Sequence, residues 1–138
     1  MNLTLHTDYS LRVLILLGSN PHTLYKTKNV CEILDIKLNH ATKIIHKLSK
    51  LDYIDSFKGK NGGIKISSTA GDTNLATIVS NLEPSNIVSC FDTTKESTCV
   101  FIKNCKLKRT LHSAKNAFFN ELKSHKLSDM YYTNPNAN

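Results

Sequence analysis

Nothing in this chain approaches the roughly 20 consecutive apolar residues that a membrane-spanning helix needs. The longest apolar run is Val13 to Leu17, and it sits inside an amphipathic pattern. The N-terminus also lacks a basic region followed by an apolar stretch. No secretory signal is legible there, and the chain is expected to be cytoplasmic, with no membrane partner. Internal repeats and low-complexity tracts are missing. So are a phosphate-binding loop, a nucleophile elbow and an acid–base pair, and no enzyme is expected. Acidic residues are few: 11 Asp and Glu face 18 Lys and Arg, for a net charge of +7.

What is present suits one domain with at most one appended element. The chain has 138 residues, 40% of them hydrophobic, enough for a real core. The basic excess is uneven. Residues 1–70 hold ten Lys and Arg against five Asp and Glu, and residues 71–138 hold eight against six. A basic N-terminal half suits a polyanion, because neutralised phosphates release counterions. Charge alone is equally compatible with a solubilising surface.

The order of elements decides between these. Residues 8–18 predict a helix with Leu11, Leu14, Ile15 and Gly18 as its stripe and Asp8 as its N-cap. After the breaker SNPHT, KTKNVCEILDI predicts a short helix capped by Thr27, with Val30, Ile33 and Leu34 facing inward and Cys31 as a small buried hydrophobe. A second helix is predicted from about Asn39 to Leu51, burying Ala41, Ile44, Ile45 and Leu48. Its other side carries Asn39, His40, Lys43, His46, Lys47 and Lys50. Two short helices, the second with a basic outer face, read as helix-turn-helix, although the turn has no Gly. Residues 53–67 then alternate in strand fashion around GKNGG, which predicts a hairpin turning at Asn-Gly. That hairpin is the wing of a winged helix. A further helix is predicted over 73–83, ended by Pro84, and a long one over about Lys106 to Lys126. In the latter, Leu107, Leu111, Ala114, Phe118, Leu122 and His125 recur at seam spacing, which suits dimerisation as well as docking on the chain's own domain. The tail YYTNPNAN is expected to fray.

The expected fold is therefore mainly α with a small β-hairpin: a winged helix-turn-helix domain (1–84), a cysteine loop (85–105), and a dimerisation helix and tail (106–138). In the major groove, the start of the second helix reads base edges. Asn39, His40, Thr42 and Lys43 are the candidate base readers. His46, Lys47 and Lys50 are candidates for phosphate, and Lys58 and Lys60 at the wing tip for the minor groove. The partner is double-stranded DNA.

Four cysteines remain: Cys31, Cys90, Cys99 and Cys105. The last three fall within sixteen residues, spaced C-x8-C-x5-C. A tight C-x2–4-C pair, usual in zinc sites, is absent. Three thiolates on one loop can instead hold three irons of a cubane cluster, and Lys103, Lys106, Lys108 and Arg109 would offset its negative charge. Spacing alone leaves cluster, structural zinc, thiol redox switch and inert loop all open.

The opening LTLHTDYSLRVLILL, the NH-x2-KII-x2-L helix, the GKNGG wing and the three-cysteine loop together resemble one family over Leu3 to about Met130. It is the family of bacterial winged-helix iron–sulfur transcription regulators. TDYSLR, GKNGG, LEP before the loop and C-x-LK after it are most similar to its nitric oxide-sensing repressor branch. The resemblance implies a homodimer crossing its long C-terminal helices, an inverted-repeat operator, and nitric oxide as signal. It implies a 4Fe–4S cluster on Cys90, Cys99 and Cys105, with Asp8 of the partner subunit as fourth ligand. Another branch uses a histidine three residues after the last cysteine. Lys108 stands there in this chain, and His112 is a weaker candidate. Lys58 replaces an Arg frequent in relatives, and Lys37-Leu38 and Ala41-Thr42 also depart from the pattern, so no operator sequence carries over. A disulfide-switch regulator of the same fold is the alternative.

Overall fold

The computed structural model describes residues 2–84, 86–94 and 96–133. Five helices and one antiparallel hairpin follow in order: α1 (Leu5–Ser19), α2 (Thr27–Leu34), α3 (Leu38–Lys50), β1 (Ile54–Phe57), β2 (Gly63–Ile66), α4 (Leu75–Leu82) and α5 (Lys106–Lys123). Short 3-10 turns occupy Ala70–Asp72, Ser89–Phe91, Ile102–Asn104 and Leu127–Met130. This is a winged helix-turn-helix with a long C-terminal helix. No helix among the described residues is long and apolar enough to cross a membrane.

One core joins these elements. Val13, Leu14 and Leu17 of α1 meet Val30, Ala41, Ile44 and Leu48 of the helix-turn-helix, Ile54, Ile64 and Ile66 of the hairpin, and Ile78 and Leu82 of α4. Each buried Val, Leu or Ile contributes roughly 1.5–3 kcal/mol by leaving water.

α1 starts earlier than the sequence suggests. Its N-cap is Thr4, whose hydroxyl accepts from the Thr7 N–H at 3.3 Å. The Glu83 carboxylate in turn accepts from the Thr4 N–H and hydroxyl at 3.0–3.2 Å. Asp8 therefore lies inside the first turn, not at the cap. The buried stripe is Thr7, Ser10, Val13, Leu14, Leu17 and Gly18, with Leu11 and Ile15 only partly covered. The two small hydroxyl residues fit this face because each is satisfied locally; Ser10 donates to the His6 carbonyl at 2.6 Å.

In α2, Thr27 is the first helical residue and Lys26 the cap position. Val30 is buried and Leu34 partly so, but Ile33 is 55% exposed, against expectation. Cys31 is half-buried against the core. The turn into α3 works without glycine because Asp35 itself takes the left-handed conformation, φ 52°, which short polar residues tolerate.

The hairpin pairs Ile54 with Ile66 and Phe57 with Gly63. Its turn differs from the Asn-Gly expectation. The loop spans 58–62, the Gly62 N–H donates to the Gly59 carbonyl at 3.1 Å, and the positive φ, 96°, is at Gly59. Gly62 is needed for space: a Cβ there would sit 2.0 Å from the Phe57 carbonyl oxygen. Tyr25, just before α2, pairs with Ile64 through both backbone groups at 2.8 and 2.9 Å.

α5 stops at Lys123, so His125 lies beyond it. The chain then returns to the core. Leu75 N–H donates to the His125 carbonyl and Leu127 N–H to the Thr73 carbonyl, both at 2.9 Å, and Leu127 is fully buried. The expected frayed tail is ordered through its first residues. The Tyr131 ring covers Gly18, and Tyr132 N–H donates to Ser19 Oγ at 2.9 Å. Residues 134–138 of that tail lie outside the described residues.

Candidate nucleic-acid interface and cysteine segment

α3 buries Ala41, Ile44 and Leu48. Helical geometry then turns Asn39, His40, Thr42, Lys43, His46, Lys47 and Lys50 outward, and all seven are exposed. Several are already constrained. Asn39 Oδ1 accepts from the His40 N–H at 2.9 Å, which leaves that oxygen one further lone pair. Thr42 Oγ1 donates to the Leu38 carbonyl at 2.8 Å. Its proton is committed to the backbone, so toward a base it offers a lone pair or its methyl group. His40 meets the Tyr9 ring of α1 edge-on, centroids 6.3 Å apart. Lys47 and Lys50 occupy the last turn, where a cation complements the helix dipole.

The wing extends this surface. Lys58 and Lys60 are exposed on either side of Gly59, and nothing lies within 4 Å of a Cβ built at Gly59. Lys65 lies over the Phe57 ring at 5.3 Å instead of extending freely. The sequence reading missed Lys26. Its Nζ donates to the Lys60 carbonyl at 3.0 Å and the Gly59 carbonyl at 3.4 Å. A single lysine before a helix carries no pattern that would reveal this.

The cysteines follow a different logic. All four are free thiols. Cys90 is half-buried in the Ser89–Phe91 turn, Cys99 is exposed, and Cys105 is half-buried as the N-cap of α5. The Cys105 Sγ accepts from the Lys108 N–H at 3.2 Å. Phe91, next to Cys90, meets the ring of His112 on α5 edge-on at 6.0 Å, which places the start of the segment against that helix. Between them, Thr94 donates its hydroxyl and backbone N–H to Asp92, holding that carboxyl below the ordinary range. Asp8 is paired with Arg12 of its own helix at 2.8 Å.

Among the described residues, no three His, Cys, Asp or Glu side chains gather closely enough to hold a metal ion. The donor chemistry of the segment nonetheless fits an iron–sulfur group: three free thiols on one stretch, one already receiving a backbone N–H.

Comparison with known proteins agrees with this architecture. Residues 3–133 match the Rrf2 family, described as iron-dependent transcriptional regulators. The HTH-type transcriptional regulator NsrR of Shouchella clausii is 38% identical over 132 residues, covering 94% of this chain and 88% of that protein. Among solved structures, T. potens IscR superposes with a TM-score of 0.71 at 19% identity, covering 94% of this chain and 85% of that one. The oxidized form of Staphylococcus aureus CymR gives 0.72 at 18% identity, covering 97% and 99%. A basic recognition helix, a glycine-tipped wing and a family match across nearly the whole length identify a DNA-binding transcription regulator, not an enzyme, and the chain belongs to the Rrf2 family.

Proposed function

We propose that the chain is a cytoplasmic, homodimeric repressor whose binding to an inverted-repeat operator is controlled by a 4Fe–4S cluster responding to nitric oxide. One observation carries the reading furthest. Three of the four free thiols lie on the single segment that joins the winged helix to α5. Any group held there lies between the DNA-reading part and the candidate dimerisation helix. The 38% identity to a regulator named NsrR supports the same assignment.

In this reading the chain divides into a winged-helix domain (1–84), a cluster-binding loop (85–105), and a dimerisation helix and tail (106–138). Cys90, Cys99 and Cys105 would hold the cluster, with Asp8 of the partner subunit as fourth ligand. The bound cluster supplies iron that reacts with nitric oxide. The protein's part is positioning. Asn39, His40, Thr42 and Lys43 face bases, His46 and Lys47 face phosphates, and Lys58 and Lys60 reach the minor groove. Dimer half-sites lie about 34–36 Å apart, so a small change in the segment that orients α5 alters the spacing of two recognition helices. The dimer role of α5 rests on its exposure: no described residue of it is buried, and Leu107 is 65% exposed.

Anaerobic purification tests the reading. A brown protein absorbing near ~400 nm is expected, and Cys90→Ser, Cys99→Ser or Cys105→Ser should each be colourless. A second reading is favoured by the exposure of Cys99, which leaves that thiol open to an oxidant. Here two cysteines form a disulfide, giving two electrons and two protons to an oxidant such as peroxide. A colourless protein whose DNA binding is reversed by dithiothreitol would select that reading.

A further inference from the structure

We infer that Lys26 is a positioning residue for DNA recognition: it locks the wing tip from beneath so that Lys58 and Lys60 are presented to the duplex. The inference rests on the winged-helix reading and is independent of any cluster.

Residues 24–26 run alongside the hairpin. Tyr25 exchanges both backbone hydrogen bonds with Ile64, at 2.8 and 2.9 Å, and so acts as a third-strand bridge on β2. Gly63 permits that approach, since a Cβ there would lie 2.8 Å from the Tyr25 carbonyl oxygen. The bridge delivers the next side chain to the tip. Lys26 Nζ then donates to the carbonyls of Gly59 and Lys60, at 3.4 and 3.0 Å.

At this tip the Gly59 carbonyl already accepts from the Gly62 N–H at 3.1 Å, and Lys26 adds a second donor to it and a donor to the Lys60 carbonyl. Gly59 has a positive φ of 96°, with nothing packed where its side chain would be. The four-residue strands are anchored in the core by Ile54, Ile64 and Ile66, whereas Lys58, Gly59, Lys60 and Asn61 of the tip are exposed. An ammonium bonded to two successive carbonyls fixes the peptide planes on both sides of Lys60. It thereby fixes the direction in which Lys60 leaves the backbone and restrains Gly59, the residue that joins Lys60 to Lys58. An ordered tip loses less freedom on binding, which raises affinity without adding a contact. A charge-assisted bond to a carbonyl also survives exposure better than a neutral one.

The alternative is that Lys26 touches phosphate itself. A double-mutant cycle separates the two. The full-length protein is titrated with a duplex that it enriches from a random-sequence library, at several salt concentrations. The proteins are wild type, Lys26→Met, Lys26→Arg, the pair Lys58→Ala/Lys60→Ala, and that pair combined with Lys26→Met, with thermal unfolding as a check on folding. The expected result is a two- to tenfold loss for Lys26→Met, the range of one or two modest hydrogen bonds. Little further loss is expected in the Lys58→Ala/Lys60→Ala background, and Lys26→Arg should restore part of the affinity.

Equal losses in both backgrounds, with the salt slope falling by about 0.9 as for one phosphate contact, would overturn the inference in favour of direct contact. Full affinity of Lys26→Met, with Lys58→Ala/Lys60→Ala weakened, would overturn it outright. Full affinity of Lys58→Ala/Lys60→Ala would instead remove the wing from DNA recognition, and the role of Lys26 with it.

Discussion

At Tyr131 a ring closes over Gly18, where an added Cβ would lie 2.0 Å from the ring carbon. The buried Tyr131 hydroxyl has no hydrogen-bond partner among the described residues. A buried unsatisfied hydroxyl costs about 1–3 kcal/mol, so Tyr131→Phe should be neutral or stabilising at pH 7 in thermal unfolding. Burial also raises the Tyr131 pKa above its ordinary 10.0. Below pH 10 both folded and unfolded chains keep the proton, and nothing changes. Above it, the unfolded chain ionises first and draws the equilibrium toward itself, so stability falls with rising pH. Tyr131→Phe removes that share of the alkaline loss, which denaturant titrations between pH 8 and about pH 11 would detect. On the DNA face, single residues separate by kind. Asn39→Ala should relax sequence discrimination at one base pair by about 1–3 kcal/mol. Lys47→Ala should weaken all duplexes alike and lower the salt slope by about 0.9. Competition binding with mutated duplexes distinguishes the two.

Helix α3 was legible because its two patterns oppose each other. Apolar Ala41, Ile44 and Leu48 recur at helical spacing, and the polar row occupies the other side. Helix α1 was not, because Leu11 to Leu17 is apolar almost all round, apart from Arg12, and period alone cannot choose a face. The face was set by packing, and small Thr7 and Ser10 were buried where larger residues were expected. The start of α1 was hidden for a related reason, since Glu83 reinforces the Thr4 cap from the far end of α4. At the hairpin, the glycine-rich loop gave the element correctly. The turn type depended on Gly59 and Gly62, not on Asn-Gly, because the loop has five residues instead of two. After α5, the core claims Leu127, a contact that no local pattern announces. Leu127→Ala should cost about 2–5 kcal/mol in denaturant unfolding. Amide exchange should quicken at Leu75 and Leu127, whose N–H groups tie the strap to the α4 entry.

Across the whole molecule, most of the basic excess of the N-terminal half falls on α3 and the wing, the proposed DNA-reading surface. The cysteine segment was legible as a donor set and not as a geometry. Its donors can be read from residue type and spacing, but in the proposed function their convergence would depend on the group they hold and on a second subunit. Metal ligation couples to local folding, so a cluster held as proposed would order the segment. In the proposed function, control of the DNA face by this segment is the decisive property. It is tested most directly by measuring the affinity of the anaerobically reconstituted protein for its library-enriched duplex before and after nitric oxide, beside Cys105→Ser. The expected result is a brown protein whose affinity falls about tenfold or more, at least ~1.4 kcal/mol, on exposure to nitric oxide, and a colourless Cys105→Ser that does not respond. Equal affinity of the brown protein before and after nitric oxide, or a colourless wild type that still responds, would contradict it.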